Sequence, residues 1–106
     1  MQVQHAHGLT PVDAIARLEA LTTYWAERFG VDPRWEGERC VVYGEALGVS
    51  ASGTILVRAD RIILDGPDPP WLFRGKVKAY LDRKLGYYLD PQVPLDELMA
   101  LRPKPA

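Results

Sequence analysis

Apolar side chains recur at helical spacing between Pro11 and Phe29. At 100° per residue, one stripe collects Ala14, Ile15, Leu18, Leu21, Thr22, Trp25 and Phe29. Off this stripe lie Arg17, Glu19, Thr23 and Glu27. Thr10 is a favourable N-cap, Pro11 suits the first helical position, and Gly30 suits a left-handed stop. The pattern therefore predicts an amphipathic helix with Arg17 and its polar neighbours on the solvent side.

Strand-forming residues dominate the middle of the chain. A short strand is predicted at Gln2–Ala6, and "RWEGERCVVYG" predicts another, opened by a turn at Glu36–Gly37. The glycine- and serine-rich "ALGVSASG" is interpreted as a connection. The segment "TILVRADRIILDG" predicts two strands joined by a tight turn around Ala59–Asp60.

Both faces of these last two strands carry large aliphatic residues. Ile55 and Val57 point to one side and Leu56 to the other, and Ile62 and Leu64 likewise oppose Ile63. A sheet with one wet face normally alternates cleanly between apolar and polar residues. We therefore expect the second face to be covered, either by a partner subunit or by the C-terminal tail.

A second helix is predicted to begin near Trp71, after the helix-breaking "GPDPP". Its predicted core stripe contains Phe73, Val77, Tyr80, Leu81, Leu85 and Tyr88. In the proline-rich tail, "PLDELMAL" predicts one or two helical turns that present Leu95, Leu98, Met99 and Leu101 to the domain or to a neighbour.

These elements together predict an α+β fold. The order is β-α-β-β-β-α, an antiparallel sheet of about four strands with two amphipathic helices on one face. Residues 1–89 would form a single α+β domain, and residues 90–106 a proline-rich tail with a short apolar helical turn.

Composition narrows the class of protein. The 106 residues are 47% apolar and 25% charged, with a formal net charge of −1, as in an ordinary soluble protein without a general attraction for nucleic acid. Cys40 has no partner for a disulfide, which fits a reducing compartment. The start lacks the features of a secretory signal, and no apolar run is long enough to span a bilayer. The expectation is a cytoplasmic protein.

The second helix combines basic residues with exposed aromatic and apolar ones. Residues 71–89 contain five basic residues and one acidic residue, a net charge of +4. The charges surround the apolar stripe, which favours a solvated face over a phosphate-binding strip. Lys84 falls inside the stripe, so its stem should lie along apolar surface. Trp71 and Leu72 point away from the stripe, either as an interfacial anchor or as a lid over the helix start.

Sites of catalysis or metal binding are not indicated. His5 and His7 would point the same way on a strand, as a metal pair requires, but no third ligand lies at a suitable spacing. Cys40 lies in an apolar strand without a companion histidine and is interpreted as a buried thiol. The glycines of "GEALGVSASG" match no phosphate-binding loop, and the serines match no nucleophile elbow. We expect no metal and no cofactor.

Several segments together carry a family resemblance. They are "HGLTPVDAIARLEAL", "AERFG", "RWEG", "GVSASGTILV" and "KVKAYLDRKL". In this order they resemble the polyhydroxyalkanoic acid system proteins, small bacterial proteins encoded beside polyester storage genes, over roughly the first 89 residues. The resemblance implies a context, granule association, and no catalytic residue. His7, Trp35, Gly37 and Gly53 match family-like positions, whereas "DGPDPPWLFRGK" and the tail depart from the family's pattern.

Three functions follow from these observations. The first is a non-enzymatic, dimeric accessory protein that binds a protein partner or a hydrophobic granule surface through Trp71, Leu72, Arg74, Lys78 and Lys84. The second is a carrier or small enzyme for an apolar acyl ligand, with a pocket lined by Trp25, Trp35 and Tyr80 and with Lys84 or Arg74 meeting a carboxylate. The third is nucleic-acid binding through the basic second helix.

Overall fold

The structure is a computed structural model that describes residues 1–46 and 49–104. Its elements in chain order are β1 (Gln2–Ala6), α1 (Pro11–Phe29), β2 (Asp32–Glu36), β3 (Arg39–Ala46), β4 (Val49–Val57), β5 (Arg61–Asp65), α2 (Arg74–Tyr88) and α3 (Leu95–Ala100). A single 3-10 turn, Trp71–Phe73, leads directly into α2. The predicted α+β class is confirmed.

One antiparallel sheet carries the fold, with strand order β1-β5-β4-β3-β2. The register joins Val3 to Leu64, Leu64 to Ile55, and Ile55 to Cys40 across four strands. Helices α1 and α2 pack on the face that these residues form, and the buried core lies between the two layers. The helices thus lie on one face, as the sequence pattern predicts.

The sheet has five strands because "RWEGERCVVYG" forms a hairpin. Gly37 has a φ of 59°, a left-handed conformation that suits glycine, and it separates β2 from β3. The interpretation of "ALGVSASG" as a connection is wrong for Ser50–Gly53, which pairs with β3 as part of β4. Ser50 and Ser52 are exposed on the outer face, so their polarity reflects a wet position in a strand. Residues 47 and 48 lie outside the described residues.

Helix α1 has the predicted caps and most of the predicted core. The Thr10 hydroxyl accepts a hydrogen bond from the Asp13 backbone N–H at 3.2 Å, and Gly30 adopts a φ of 73° after the last turn. Leu18 and Leu21 are fully buried. Phe29, predicted on the stripe, is exposed: it lies at the last helical turn, where its ring makes an edge contact with Tyr80.

Arg17 is buried, contrary to the prediction that it faces solvent. Its guanidinium donates to the backbone carbonyls of Tyr88 at 3.3 Å and Asp90 at 2.8 Å, and its Nε bonds the Asp13 carboxylate at 3.1 Å. The carbonyls at the C-terminal end of a helix lack intrahelical partners and carry partial negative charge. Arg17 therefore satisfies the end of α2 and joins it to α1.

Helix α2 enters the core only in its second half. Leu85 and Tyr88 are fully buried, whereas Phe73, predicted at the start of the core stripe, is 52% exposed. Burial raises the pKa of the Tyr88 phenol to about 12. Its hydroxyl has no hydrogen-bond partner in the described part of the chain, so Tyr88 stabilises the fold through its ring.

The tail packs against its own chain. Helix α3 lies along α1, and Leu98 is almost completely buried there while Met99 remains exposed. The tail therefore lies on the helical side and does not cover the outer face of the sheet. On that face Val41, Leu56 and Ile63 are half-buried and lie outside the core cluster.

Candidate functional site

Three consecutive large apolar side chains stand in solvent just before α2. Trp71 is 82% exposed, Leu72 64% and Phe73 52%. We call residues 71–73 the WLF surface. Its Trp71 does not fold over the start of α2, so the interpretation of this side chain as a lid is wrong.

Local chain geometry produces the WLF surface. Pro69 and Pro70 restrict the residues before them to extended conformations, and Pro70 itself has a ψ of 141°. The chain then turns tightly, and the Phe73 N–H donates to the Pro70 carbonyl at 2.8 Å. In a 3-10 turn the side chains are spread around the axis at about 120° per residue. Three neighbouring residues in such a turn therefore cannot all face the core.

Two basic residues near this surface are engaged in contacts within the chain. Arg74 contacts the Asp68 carboxylate at 3.4 Å, and Lys78 contacts Asp82 at 2.8 Å. The pKa of Asp68 lies below its usual value, because the Met1 ammonium bonds it and Arg74 lies close. These ion pairs compensate the charges of Arg74 and Lys78, while Lys76 in the first turn of α2 is exposed.

Lys84 does not belong to the same surface. Its ammonium lies 4.4 Å from the Tyr24 ring centroid and 5.9 Å from that of Tyr80, between α1 and α2. Ten residues of helix, about 15 Å, separate it from Arg74. Of the predicted surface residues, the structure brings Trp71, Leu72 and Arg74 together, places Lys78 one turn further along α2, and sets Lys84 apart.

An apolar cavity of about 190 Å³ lies between α2 and the sheet. Its walls come from the core face of the sheet, from Trp25 and from α2; they are Met1, Val3, Trp25, Val42, Gly53, Thr54, Ile55, Leu64, Asp65, Gly66, Pro67, Val77 and Leu81. The exposed residues Asp65 and Pro67 mark its open end. Val77 is one helical turn after Phe73, which places the cavity beside the WLF surface.

The predicted pocket residues are only partly brought together. Trp25 lines the cavity, but Trp35 and Tyr80 do not. The Trp35 indole donates to the Thr22 hydroxyl at 3.1 Å, and the Tyr80 hydroxyl accepts from the Trp25 indole at 3.1 Å. The structure thus uses Trp35 and Tyr80 in hydrogen bonds to helix α1 rather than in the wall of the cavity.

Glycine contributes to the shape of the cavity. A Cβ on Gly53 would lie 3.2 Å from the Asp65 carbonyl and 3.8 Å from the Gly66 Cα. That first distance is tight for a contact with backbone, so a larger residue would push β4 away from the end of β5. Gly53 thus permits the close approach of two strands at the open end.

His7 bonds to two backbone groups of the fold, and Cys40 is a buried thiol. The His7 Nδ1 accepts from the Leu9 N–H at 3.2 Å, so its Nε2 carries the proton that is donated to the Arg58 carbonyl at 2.9 Å. This bridge fastens the entry of α1 to the β4–β5 turn. Burial raises the pKa of the Cys40 thiol. Within residues 1–46 and 49–104, no three potential ligands among His, Cys, Asp and Glu lie together.

A comparison with protein families gives one match. The family described as "Putative polyhydroxyalkanoic acid system protein" matches residues 1–90. The chain belongs to this family. The matched residues include the cavity and the WLF surface, and they end before α3. Searches of curated proteins and of solved structures gave no match.

Membrane insertion as a helix is not indicated by the described residues. None of their helices combines the length and the apolar character that crossing a bilayer requires.

Sequence reasoning missed two parts of this site. Phe73 was assigned to the core because its helical phase matches that of Val77, but Phe73 lies at the N-terminal end of α2, and the fully buried residues of that helix lie in its second half. The cavity arises where β4 and β5 meet α2, and its lining comes from segments distant in sequence. The signals that could have indicated them are the paired prolines before Trp71 and the glycines at 53 and 66.

Proposed function

We propose that this protein is a non-enzymatic accessory protein of the polyester storage system that binds the hydrophobic surface of a polyester granule through the WLF surface. The single observation that carries the proposal is the exposure of Trp71, Leu72 and Phe73 in one turn. The family supplies the context of a polyester. In this proposal the protein works in the cytoplasm, where such granules would be stored.

The energetics favour an apolar partner. Transfer of apolar area out of water contributes about 25 cal/mol per Å², and full burial of one large apolar side chain contributes about 1.5–3 kcal/mol. Tryptophan also suits a boundary between water and an apolar phase, because its ring is apolar while its indole N–H can remain hydrated. The pairing of Arg74 and Lys78 with carboxylates gives phosphate binding less support.

Co-sedimentation with polyhydroxybutyrate particles tests the proposal. We expect the protein to bind at low salt and at high salt, because the hydrophobic effect does not weaken with salt as phosphate contacts do. Trp71→Ala should weaken binding about tenfold or more, from the loss of a large buried apolar side chain. Leu72→Ala should weaken binding less, since less area is lost.

The matched control is Val12→Ala, which removes another strongly exposed apolar side chain from the start of α1. It should bind particles like the wild type. Equal binding by wild type and Trp71→Ala would place the contact elsewhere on the protein. Absence of binding at both salt concentrations would reject a granule surface as the partner and leave a protein partner as the alternative.

The same proposal includes a homodimer through the outer face of the sheet. Val41, Leu56 and Ile63 support it, since Leu56 pairs directly with Ile63, Val41 lies diagonally across from Leu56, and no described helix packs on them. Sedimentation velocity should then show a dimer that Leu56→Glu converts to a monomer. A wild-type protein that stays monomeric up to its solubility limit would exclude the dimer.

A further inference from the structure

The cavity between α2 and the sheet is built to hold an apolar group. Its inner walls are side chains such as Val3, Trp25, Ile55 and Leu81, together with the backbone of Gly53. An engineered apolar cavity of about 150 Å³ stays dry and takes up benzene, a ring of six carbons. With about 190 Å³, this cavity has room for an alkyl chain of similar size.

The charges at the open end indicate what is attached to that alkyl chain. There the Met1 ammonium donates to the Gly66 carbonyl at 2.6 Å and contacts the Asp68 carboxylate at 2.7 Å, and the Arg74 guanidinium also contacts Asp68. A free carboxylate on a ligand would have to compete with Asp68 for those cations. A neutral ester group has no charge that competes for those cations or is repelled by the Asp68 carboxylate.

We infer that the cavity binds the alkyl group of a neutral ester, with about six carbons or fewer inside and the ester group at the open end. The inference deepens the proposed function and rests on it where the polymer itself supplies the ester. Val77 lines the cavity one helical turn after Phe73, so the cavity lies next to the WLF surface. A polymer segment lying on the WLF surface would run past the open end and could place a side group inside.

Titration with small esters, followed by amide chemical shifts, tests the cavity without any particle. The probes are methyl propanoate, methyl butyrate, methyl pentanoate and methyl hexanoate. Shifts should concentrate at the Gly53 and Gly66 amides and at the Trp25 indole N–H, which belong to the lining. Affinity should rise about fourfold per added methylene, from about 0.8 kcal/mol each, until the cavity is full.

Sodium hexanoate is the comparison that tests the charge argument. At neutral pH it should bind at least tenfold more weakly than methyl hexanoate. Equal or tighter binding of the carboxylate would overturn the assignment of a neutral ester. Shifts confined to the WLF surface, or spread without saturation, would overturn the cavity itself as the site.

Two variants fill the cavity from its half-exposed edge. Val77→Phe should weaken ester binding at least tenfold, and Leu81→Phe provides a second filling variant should the first disturb α2. The amide spectrum of each variant reports whether it is folded. The matched control is Val12→Phe, the same substitution at an exposed position on α1, which should leave ester binding unchanged. Ester binding that survives in a folded Val77→Phe and a folded Leu81→Phe protein would contradict the inference.

Trp71→Ala separates this inference from the granule proposal. It should lose particle binding and keep ester affinity within about twofold, because Trp71 does not line the cavity. Loss of ester binding in Trp71→Ala would place the ester on the WLF surface and overturn the cavity site. If the wild-type protein binds esters but does not bind particles, the cavity remains the ester site and only the proposal of granule binding is rejected.

Particles with different side groups identify the source of the ester. Poly(3-hydroxyoctanoate) carries pentyl side groups, whereas polyhydroxybutyrate carries methyl groups. A wild-type preference for the pentyl polymer that Val77→Phe removes identifies the polymer as the source. Particle binding unchanged by Val77→Phe, with ester binding lost, identifies a free short ester and equally supports the site.

Discussion

Arg17→Ala should lower the free energy of unfolding by about 3 kcal/mol. The Arg17 guanidinium is buried and donates to the Tyr88 and Asp90 carbonyls at the end of α2. Hydrogen bonds to a charged group contribute about 1.5–3 kcal/mol each, and a buried carbonyl left unpaired adds a desolvation cost. The free energy of unfolding of a domain of this size is about 5–15 kcal/mol, so the loss would be a large fraction of its stability.

Urea denaturation followed by circular dichroism measures this effect. Arg28→Ala is the matched control, because Arg28 lies exposed on the same helix; it should change stability by about 0.5 kcal/mol or less. Arg17→Lys should fall between them, since an ammonium retains the charge but cannot reproduce the geometry of the guanidinium. An Arg17→Ala protein as stable as Arg28→Ala would mean that Arg17 does not fasten α2 to α1.

Leu98→Ala should lower the free energy of unfolding by about 2 kcal/mol. Leu98 is almost fully buried where α3 meets α1, and truncation of a buried leucine costs about 2–5 kcal/mol. A cost at the lower end of this range is expected because α3 is a short helix of six residues. When α3 no longer packs stably on α1, it can detach locally while the rest of the fold stays intact.

Met99→Ala, one residue along the same helix, is the control. Met99 is largely exposed, so the expected change is about 0.5 kcal/mol or less. Limited proteolysis adds a second readout, with faster cleavage between residues 90 and 104 in Leu98→Ala. Equal stability of the two variants would contradict docking of the tail on its own chain.

The elements that follow from local pattern were predictable. Helix α1 was predicted from Thr10 to Gly30 because its caps and apolar spacing act within a few residues of each other. The β4–β5 hairpin was predicted because β-branched and apolar residues flank a short polar turn at Ala59–Asp60. These signals lie within one element, and tertiary contacts did not override them.

The contacts that join distant elements were not predictable. Helical periodicity places Arg17 off the apolar stripe, and it is the C-terminal end of α2, 71 residues later in the chain, that packs against this position and buries it. The same periodicity placed Phe73 in the core, although the N-terminal end of α2 extends beyond the core. Trp71 and Leu72 were predicted to point away from the core stripe and are exposed, while their part in binding stays a prediction.

The central claim is that the WLF surface contacts an apolar phase, and Trp71 provides its own probe. Of the three tryptophans, Trp25 is buried and Trp35 half-buried, so Trp71 is the one most accessible to an aqueous quencher. Fluorescence of wild type minus Trp71→Phe isolates its emission. With polyhydroxybutyrate particles, we predict a blue-shifted Trp71 emission that is protected from acrylamide. Protein that sediments with the particles while Trp71 stays red-shifted and fully quenchable would contradict the account.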